Sequence, residues 1–220
     1  RTGGLSFLTP RFGLVCSNIL SYEIVLASGS LVTASASTND DLWRALKGGC
    51  NNFGIVTRFT IRTVPVRDIW SGFLYMPSSQ SAKVLTAFYE CLGGGRSSDS
   101  SPSYHKHAAG PMACFTFIGA LRVQAISVHL AHTGDSAAGH KWPMCWKDSS
   151  FARIWRLWST LRVRTVTSAT DELKALNPPG KRQILATTTI KNDLATIFAT
   201  HTAYLGAISS VSRQSVKGLN

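Results

Sequence analysis

Hydrophobic and polar positions follow a regular order through the first third of the chain. Tyr22 to Leu26 is a short apolar run, Ser28-Gly29 is turn chemistry, and Leu31 to Ala34 is a second run, which together predict a β-hairpin. Thr38-Asn39-Asp40-Asp41 then offers a helix N-cap with acids in the first turn. Leu42, Trp43, Ala45 and Leu46 supply the apolar stripe, and Gly48-Gly49 stops the helix. From Phe53 to Arg62 the residues alternate. Phe53, Ile55, Thr57, Phe59 and Ile61 make a mainly apolar face against a mixed one of Gly54, Val56, Arg58, Thr60 and Arg62, as in a strand half buried in a sheet. Pro65 ends it.

A second unit opens near Val66. Trp70 to Met76 suits a strand, and Val84, Leu85, Phe88 and Leu92 share one face of a helix that Gly93-Gly94-Gly95 terminates. Gly93 to Ser103 reads as a Gly/Ser-rich loop or linker. Between about 104 and 150 the grammar weakens: only Cys114 to Ile118 and Ala120 to Leu130 suit strands, with poor turn signals between them. Beyond Phe151 it returns. Thr170 is placed to cap a helix carrying Leu173 and Leu176 up to Pro178-Pro179-Gly180, Gln183 to Ile190 suits a strand, and Asn192 is placed to cap a helix with Leu194, Ile197, Phe198 and Tyr204.

Composition narrows the function classes. The 220 residues (23.8 kDa) are 44% hydrophobic and 15% charged, which excludes a disordered charged tail. No run reaches the roughly 18 to 20 apolar residues of a membrane span, so no membrane partner is expected. The chain opens on Arg1 with no secretory signal, and the polypeptide is expected to begin earlier. Lys and Arg exceed Asp and Glu by 12, with a pI near 9.9. That excess is scattered, and its densest group, Arg153, Arg156, Arg162 and Arg164, alternates with Trp155, Leu157, Trp158 and Val163 as an amphipathic core segment would. Nucleic acid is therefore not favoured as a partner. Five cysteines at irregular spacing make no disulfide framework.

Two glycine concentrations carry the candidate chemistry. Thr2-Gly3-Gly4-Leu5-Ser6-Phe7-Leu8-Thr9-Pro10-Arg11-Phe12-Gly13-Leu14 and Gly48-Gly49-Cys50-Asn51-Asn52-Phe53-Gly54-Ile55-Val56-Thr57 each let backbone N–H groups approach a ligand with no Cβ in the way. Neither has the P-loop lysine or the GxGxxG spacing, and each also reads as an ordinary turn. His105, His107, His129, His132 and His140, with Cys114 and Cys145, crowd the middle of the chain. No CxxC or HExxH accompanies them, and no metal is expected.

These words resemble a family. GGLSFLTPRFGLVCSN followed by SYEIVLASGSLVTASASTNDDLWRALKGGCNNFGIVTRFTIRTVP is similar to the berberine-bridge-enzyme-like FAD-linked oxidoreductases of the vanillyl-alcohol oxidase and p-cresol methylhydroxylase (PCMH) superfamily, in the wording of their fungal members. The likeness covers Gly3 to Pro65 and resumes from about Phe151 to Ser212, most clearly in TDELKALNPPGKRQILATTTIKNDLATI. It implies an α+β fold: residues 1–65 as the second half of a PCMH-type FAD-binding domain, and residues 66–220 as part of a substrate domain with an antiparallel sheet and helices. It implies FAD as cofactor and hydride transfer from an alcohol or amine carbon of a small-molecule substrate to flavin. By motif, Gly3, Gly4, Ser6, Gly13 and Leu14 line one cofactor contact, and Gly54, Ile55 and Val56 the other.

The departures set limits. Cys16-Ser17-Asn18 stands where the family has Cys-Asp-Asn, and Cys50 where it has a third glycine. The family's first FAD subdomain, the His and Cys that attach flavin, and its C-terminal Tyr and Asn-Tyr motif match nothing here, so no catalytic base is assigned. This chain is expected to be impaired or inactive alone. Residues 96–150 match neither the family nor local grammar, as a shifted reading frame or retained intron would. A non-catalytic basic interaction protein, or a degenerate gene product, is the alternative. Many relatives are secreted; localisation, substrate and oligomeric state are left open.

Overall fold

The computed structural model describes residues 3–94, 105–118, 121–134, 141–175, 180 and 187–213. The chain divides into two compact units, Arg1–Val66 and Arg67–Asn220.

The first unit is a three-stranded antiparallel sheet in the order β2-β1-β3, formed by β1 (Ile19–Val25), β2 (Leu31–Ser35) and β3 (Ile55–Ile61). A one-turn helix α1 (Thr9–Phe12) precedes it, and α2 (Asp40–Ala45) joins β2 to β3. Ile19, Tyr22, Ile24, Ala34 and Leu46 form the core, with Leu42, Trp43 and Val56 packed against it. The Trp43 indole donates to Ile19 O at 3.2 Å and fastens α2 to the sheet.

The half-buried face expected of β3 is not continuous. Its register against β1 shifts between Glu23↔Arg58 and Ile24↔Val56, a bulge of one residue, and a one-residue slip turns side chains to the opposite face. Phe59 therefore meets Tyr22 edge-on at 5.6 Å and Val56 meets the core, while Ile55 is 73% exposed.

The second unit is a five-stranded sheet in which β6 (Val123–His132) lies between β5 (Ala108–Ile118) and β4 (Ile69–Pro77). The far edge of β4 pairs with two short strands, β7 (Trp158–Ser159) and β8 (Arg162–Arg164). β4 is buried almost throughout because both of its faces are covered. Trp70, Leu74 and Met76 pack with Ile126, Val128 and Leu130 of β6 and with Val84 and Ala87 of α3 (Ser81–Cys91). Phe73, on the other face, meets the His129 ring at 4.8 Å. The hairpin β5–β6 thus comes from the stretch with the weakest sequence grammar; β5 begins well before the run Cys114–Ile118, and β6 is shifted toward the C-terminus relative to the run Ala120–Leu130.

Helix α4 (Met144–Lys147) packs at the end of β6, where the Trp146 indole donates to Ala131 O at 2.9 Å. Helix α5 (Val166–Ala175) begins a turn earlier than its sequence predicts. Thr165 Oγ1 accepts the Ser168 N–H at its start, and the Thr170 hydroxyl donates within the helix to Val166 O. Helix α6 (Leu194–Arg213) is capped by Asp193, whose carboxylate accepts from the Thr196 N–H and hydroxyl, rather than by Asn192, whose amide donates to Leu92 O. Of the strand expected over Gln183–Ile190, residues 183–186 lie outside the described residues and 187–190 are irregular and exposed. No helix among the described residues is long and apolar enough to cross a membrane.

Two glycine-centred backbone sites at opposite ends of a strand pair

The first glycine cluster is a closed loop. Gly3 O accepts from Cys16 N and Gly4 O from Val15 N, both at 2.9 Å, so the chain before α1 lies against the chain after it. Asn18 braces the same loop from within, its amide donating to Phe12 O at 2.8 Å and to Leu14 O at 3.0 Å. Gly3, Gly4 and Gly13 all have positive φ. At Gly4 the requirement is steric as well, since a Cβ there would stand 2.9 Å from Val15 Cβ. Ser6 is engaged locally: its N–H donates to Thr9 Oγ1 and its Oγ accepts from Leu8 N, which holds the turn into α1. The N–H groups of Gly4, Leu5 and Leu14 have no acceptor among the described residues, and all three residues are exposed. A loop of this kind offers donors to an anion, and its left-handed glycines keep side chains out of the approach.

The second cluster follows α2. Gly54 has φ 143°, and a Cβ there would collide with the Val25 carbonyl oxygen across the β1–β3 ladder. Ile55 pairs with Val25 and Val56 with Ile24. Upstream, Cys50 occupies a left-handed conformation (φ 55°), and the Asn52 amide donates to Gly49 O at 2.9 Å. β3 is an edge strand, so alternate backbone groups of its outer side are open to a ligand.

The two clusters attach at opposite ends of β1. The Gly3–Leu14 loop leads into Ile19, where β1 pairs with Ile61, and Gly54–Val56 sits where β1 ends at Val25. Six residue steps of strand, about 20 Å, separate those ends. Tyr22 lies between them, buried, and burial together with nearby Cys16 raises its phenol, which stays protonated at neutral pH.

The four clustered arginines of the second unit divide in role. Arg164 is buried, pairs with Glu172 of α5 at 2.6 Å and donates to Thr160 O, and Arg156 lies over the Trp142 ring at 5.1 Å. Arg153 and Arg162 are exposed. A cleft of about 460 Å³ between α3 and the turn at Ser150–Arg153 is lined by Arg153 but by none of the glycine-cluster residues. Of the crowded histidines and cysteines, His105, His132 and Cys145 converge. His129 packs on Phe73 instead, Cys114 lies along β5, and His140 is outside the described residues. Sequence reading missed Asn18 as the loop's brace, for which the run Gly13-Leu14-Val15-Cys16-Ser17-Asn18 gives no spacing signal.

No family model matches the chain. It is 34% identical over 197 residues to the FAD-dependent monooxygenase FUP4 of Fusarium proliferatum, a match covering 87% of this chain and 36% of that protein. It is 32% identical over 188 residues to a protein of Diaporthe leptostromiformis named oligopeptidase PhomG′, covering 86% of this chain but 14% of a much longer one. Among solved structures, 6-hydroxy-D-nicotine oxidase from Arthrobacter nicotinovorans superimposes with a TM-score of 0.60 at 22% identity, over 82% of this chain and 37% of that one. The chain spans from 14% to 36% of the length of these two curated relatives. The resemblance to FAD-linked oxidoreductases read from the two glycine-rich words therefore stands, and the fold is the α+β fold of that solved oxidase.

Proposed function

We propose that this chain is part of an FAD-dependent oxidoreductase and that its first unit supplies one side of the cofactor cradle. The observation that carries this reading is the pair of backbone sites at the two ends of the β1–β3 ladder, one presenting the N–H groups of Gly4, Leu5 and Leu14, which have no acceptor among the described residues, and the other the close-packed turn at Gly54. FAD fits both: it is long when extended, and its pyrophosphate is an anion suited to backbone donors. Gly3, Gly4, Ser6, Gly13 and Leu14 would hold one part of the cofactor, and Gly54, Ile55 and Val56 another.

The chemistry such a cofactor supplies is two-electron acceptance of a hydride. The substrate in this reading is a small molecule whose reacting carbon bears an alcohol or an amine; the neighbour named for 6-hydroxy-D-nicotine takes a small molecule too. Arg1–Val66 is then the later part of an FAD-binding domain, and Arg67–Asn220 a portion of a substrate domain. The 220 residues by themselves hold FAD weakly and turn over no substrate, because backbone contacts from one side leave much of the cofactor in water.

Titration of the purified chain with FAD, followed by flavin fluorescence, tests this. The expected result is weak, saturable binding that desalting reverses and that Gly4→Val and Gly54→Val each reduce by at least about tenfold, one lost contact of about 1.4 kcal/mol. Flavin that survives desalting at one equivalent would overturn the weak-binding part. No saturable binding, or binding indifferent to both variants, would overturn the cradle itself.

A further inference from the structure

At the end of the second unit's sheet, where β6 finishes, side chains from three separate segments converge. His132 is the last residue of β6, His105 lies just before β5, and Cys145 belongs to α4. One ligating atom from each, imidazole nitrogen or thiol sulfur, lies within 4.8 Å of the other two. The His107 ring closes the group, with its centroid 5.9 Å from that of His105 and 5.8 Å from that of His132.

Hydrogen bonds to main-chain carbonyls tie these segments together. Thr133 N donates to His107 O at 2.8 Å and ties the entry of β5 to the end of β6. The Trp146 indole donates to Ala131 O and sets the neighbouring Cys145 beside His132. Gly134 provides a second, independent observation. A Cβ there would stand 2.8 Å from His132 Cε1 and 3.1 Å from His107 Cγ, so the two imidazoles converge because this position lacks a side chain.

We propose that His105, His132 and Cys145, with His107 as fourth donor, form a structural site for a tetrahedral divalent transition-metal ion of the zinc type. Imidazole and thiolate are the ligands zinc selects, at about 2.0–2.1 Å and 2.3 Å, which places tetrahedral donors about 3.3–3.8 Å apart. The donors of His105, His132 and Cys145, now within 4.8 Å of one another, would draw together by about an ångström on binding, and the His107 ring, 5.9 and 5.8 Å by centroid from those of His105 and His132, would turn in as the fourth. Binding releases the Cys145 thiol proton to solvent, and no electron moves. The ion would clamp α4 to the end of β6. This site is independent of the cofactor cradle, which lies in the other unit.

Cobalt(II) titration of the chelator-treated full chain tests it. One equivalent should raise the thiolate-to-cobalt charge-transfer band together with the intense visible bands of a tetrahedral ion, and zinc should displace both. Cys145→Ser should abolish the charge-transfer band, while Cys91→Ser should keep it. His105→Ala, at an exposed position that leaves the fold intact, and Gly134→Ala, which removes no ligand, should each weaken affinity at least about tenfold. Absence of the band at excess cobalt, its survival in Cys145→Ser, its loss in Cys91→Ser, or unchanged affinity in both His105→Ala and Gly134→Ala would overturn the assignment.

Discussion

Cys50 is the residue whose backbone most plainly disagrees with its side chain. Its φ of 55° is a left-handed conformation, it is exposed, and nothing in the core depends on its thiol. Cys50→Gly should therefore stabilise the chain by about 1 kcal/mol, read as a higher urea midpoint with an unchanged slope. Gly54 is the converse case. With Val25 O standing where a Cβ would go, Gly54→Ala should cost at least about 2 kcal/mol in the same measurement. His129 sets a pH dependence. Burial against Phe73, with the Arg164 charge nearby, lowers its pKa from 6.5 to about 4. Between those values the unfolded chain binds the proton and the folded chain does not, so stability is full above pH 6.5 and falls as pH drops toward 4. The slope contributed is up to about 1.4 kcal/mol per pH unit. His129→Leu should flatten that part of a stability-versus-pH curve.

Among the elements, α5 depends most on one contact. The pair Arg164–Glu172 is largely buried and joins the helix to β8, so Glu172→Gln leaves a guanidinium without its carboxylate and should cost about 3 kcal/mol. The elements also mark how far the sequence could be read. The β1–β2 hairpin, α2, β4 and α3 follow from apolar runs, turn residues and glycine stops because each is specified within its own window. The face of β3 does not, since alternation assumes an unbroken register and the bulge at Thr57 breaks it. The caps of α5 and α6 shift to Thr165 and Asp193 because several polar residues stood in reach and packing chose among them. Both glycine words were visible as concentrations of one residue type. Their separation along β1 was not, because it depends on long-range pairing between Val25 and Ile55. The metal-ligand set had no spacing signal for the same reason: its residues come from three segments joined only by the fold.

For the whole molecule, one group of exposed apolar side chains lies along a sheet edge. Ile55, Phe59 and Ile61 of β3 are 73%, 39% and 48% exposed, and among the described residues β3 has a strand partner on one side only. An edge like this recruits another chain. Ile55→Lys should lower the light scattering of concentrated protein while leaving its far-ultraviolet dichroism unchanged. The stretch 96–150 bears on the molecule differently. Within it lie β5, β6 and α4, so a transcript read in another frame there would replace one edge of the second sheet and the strand beside it, and sequencing the cDNA would decide which product a cell makes.

The position of β6 between β4 and β5 has a consequence during synthesis. β4, apolar on both faces, leaves the ribosome before its partners, which are Ala125–His132 on one side and the residues from Trp158 to Arg164 on the other. At about 5–20 residues per second it waits several seconds for the first and longer for the second. Throughout that interval it offers two bare strand edges and two greasy faces to whatever is nearby. Slowing synthesis between Pro77 and Ala125 should therefore lower the soluble yield in a cell while leaving the stability of the finished sheet unchanged.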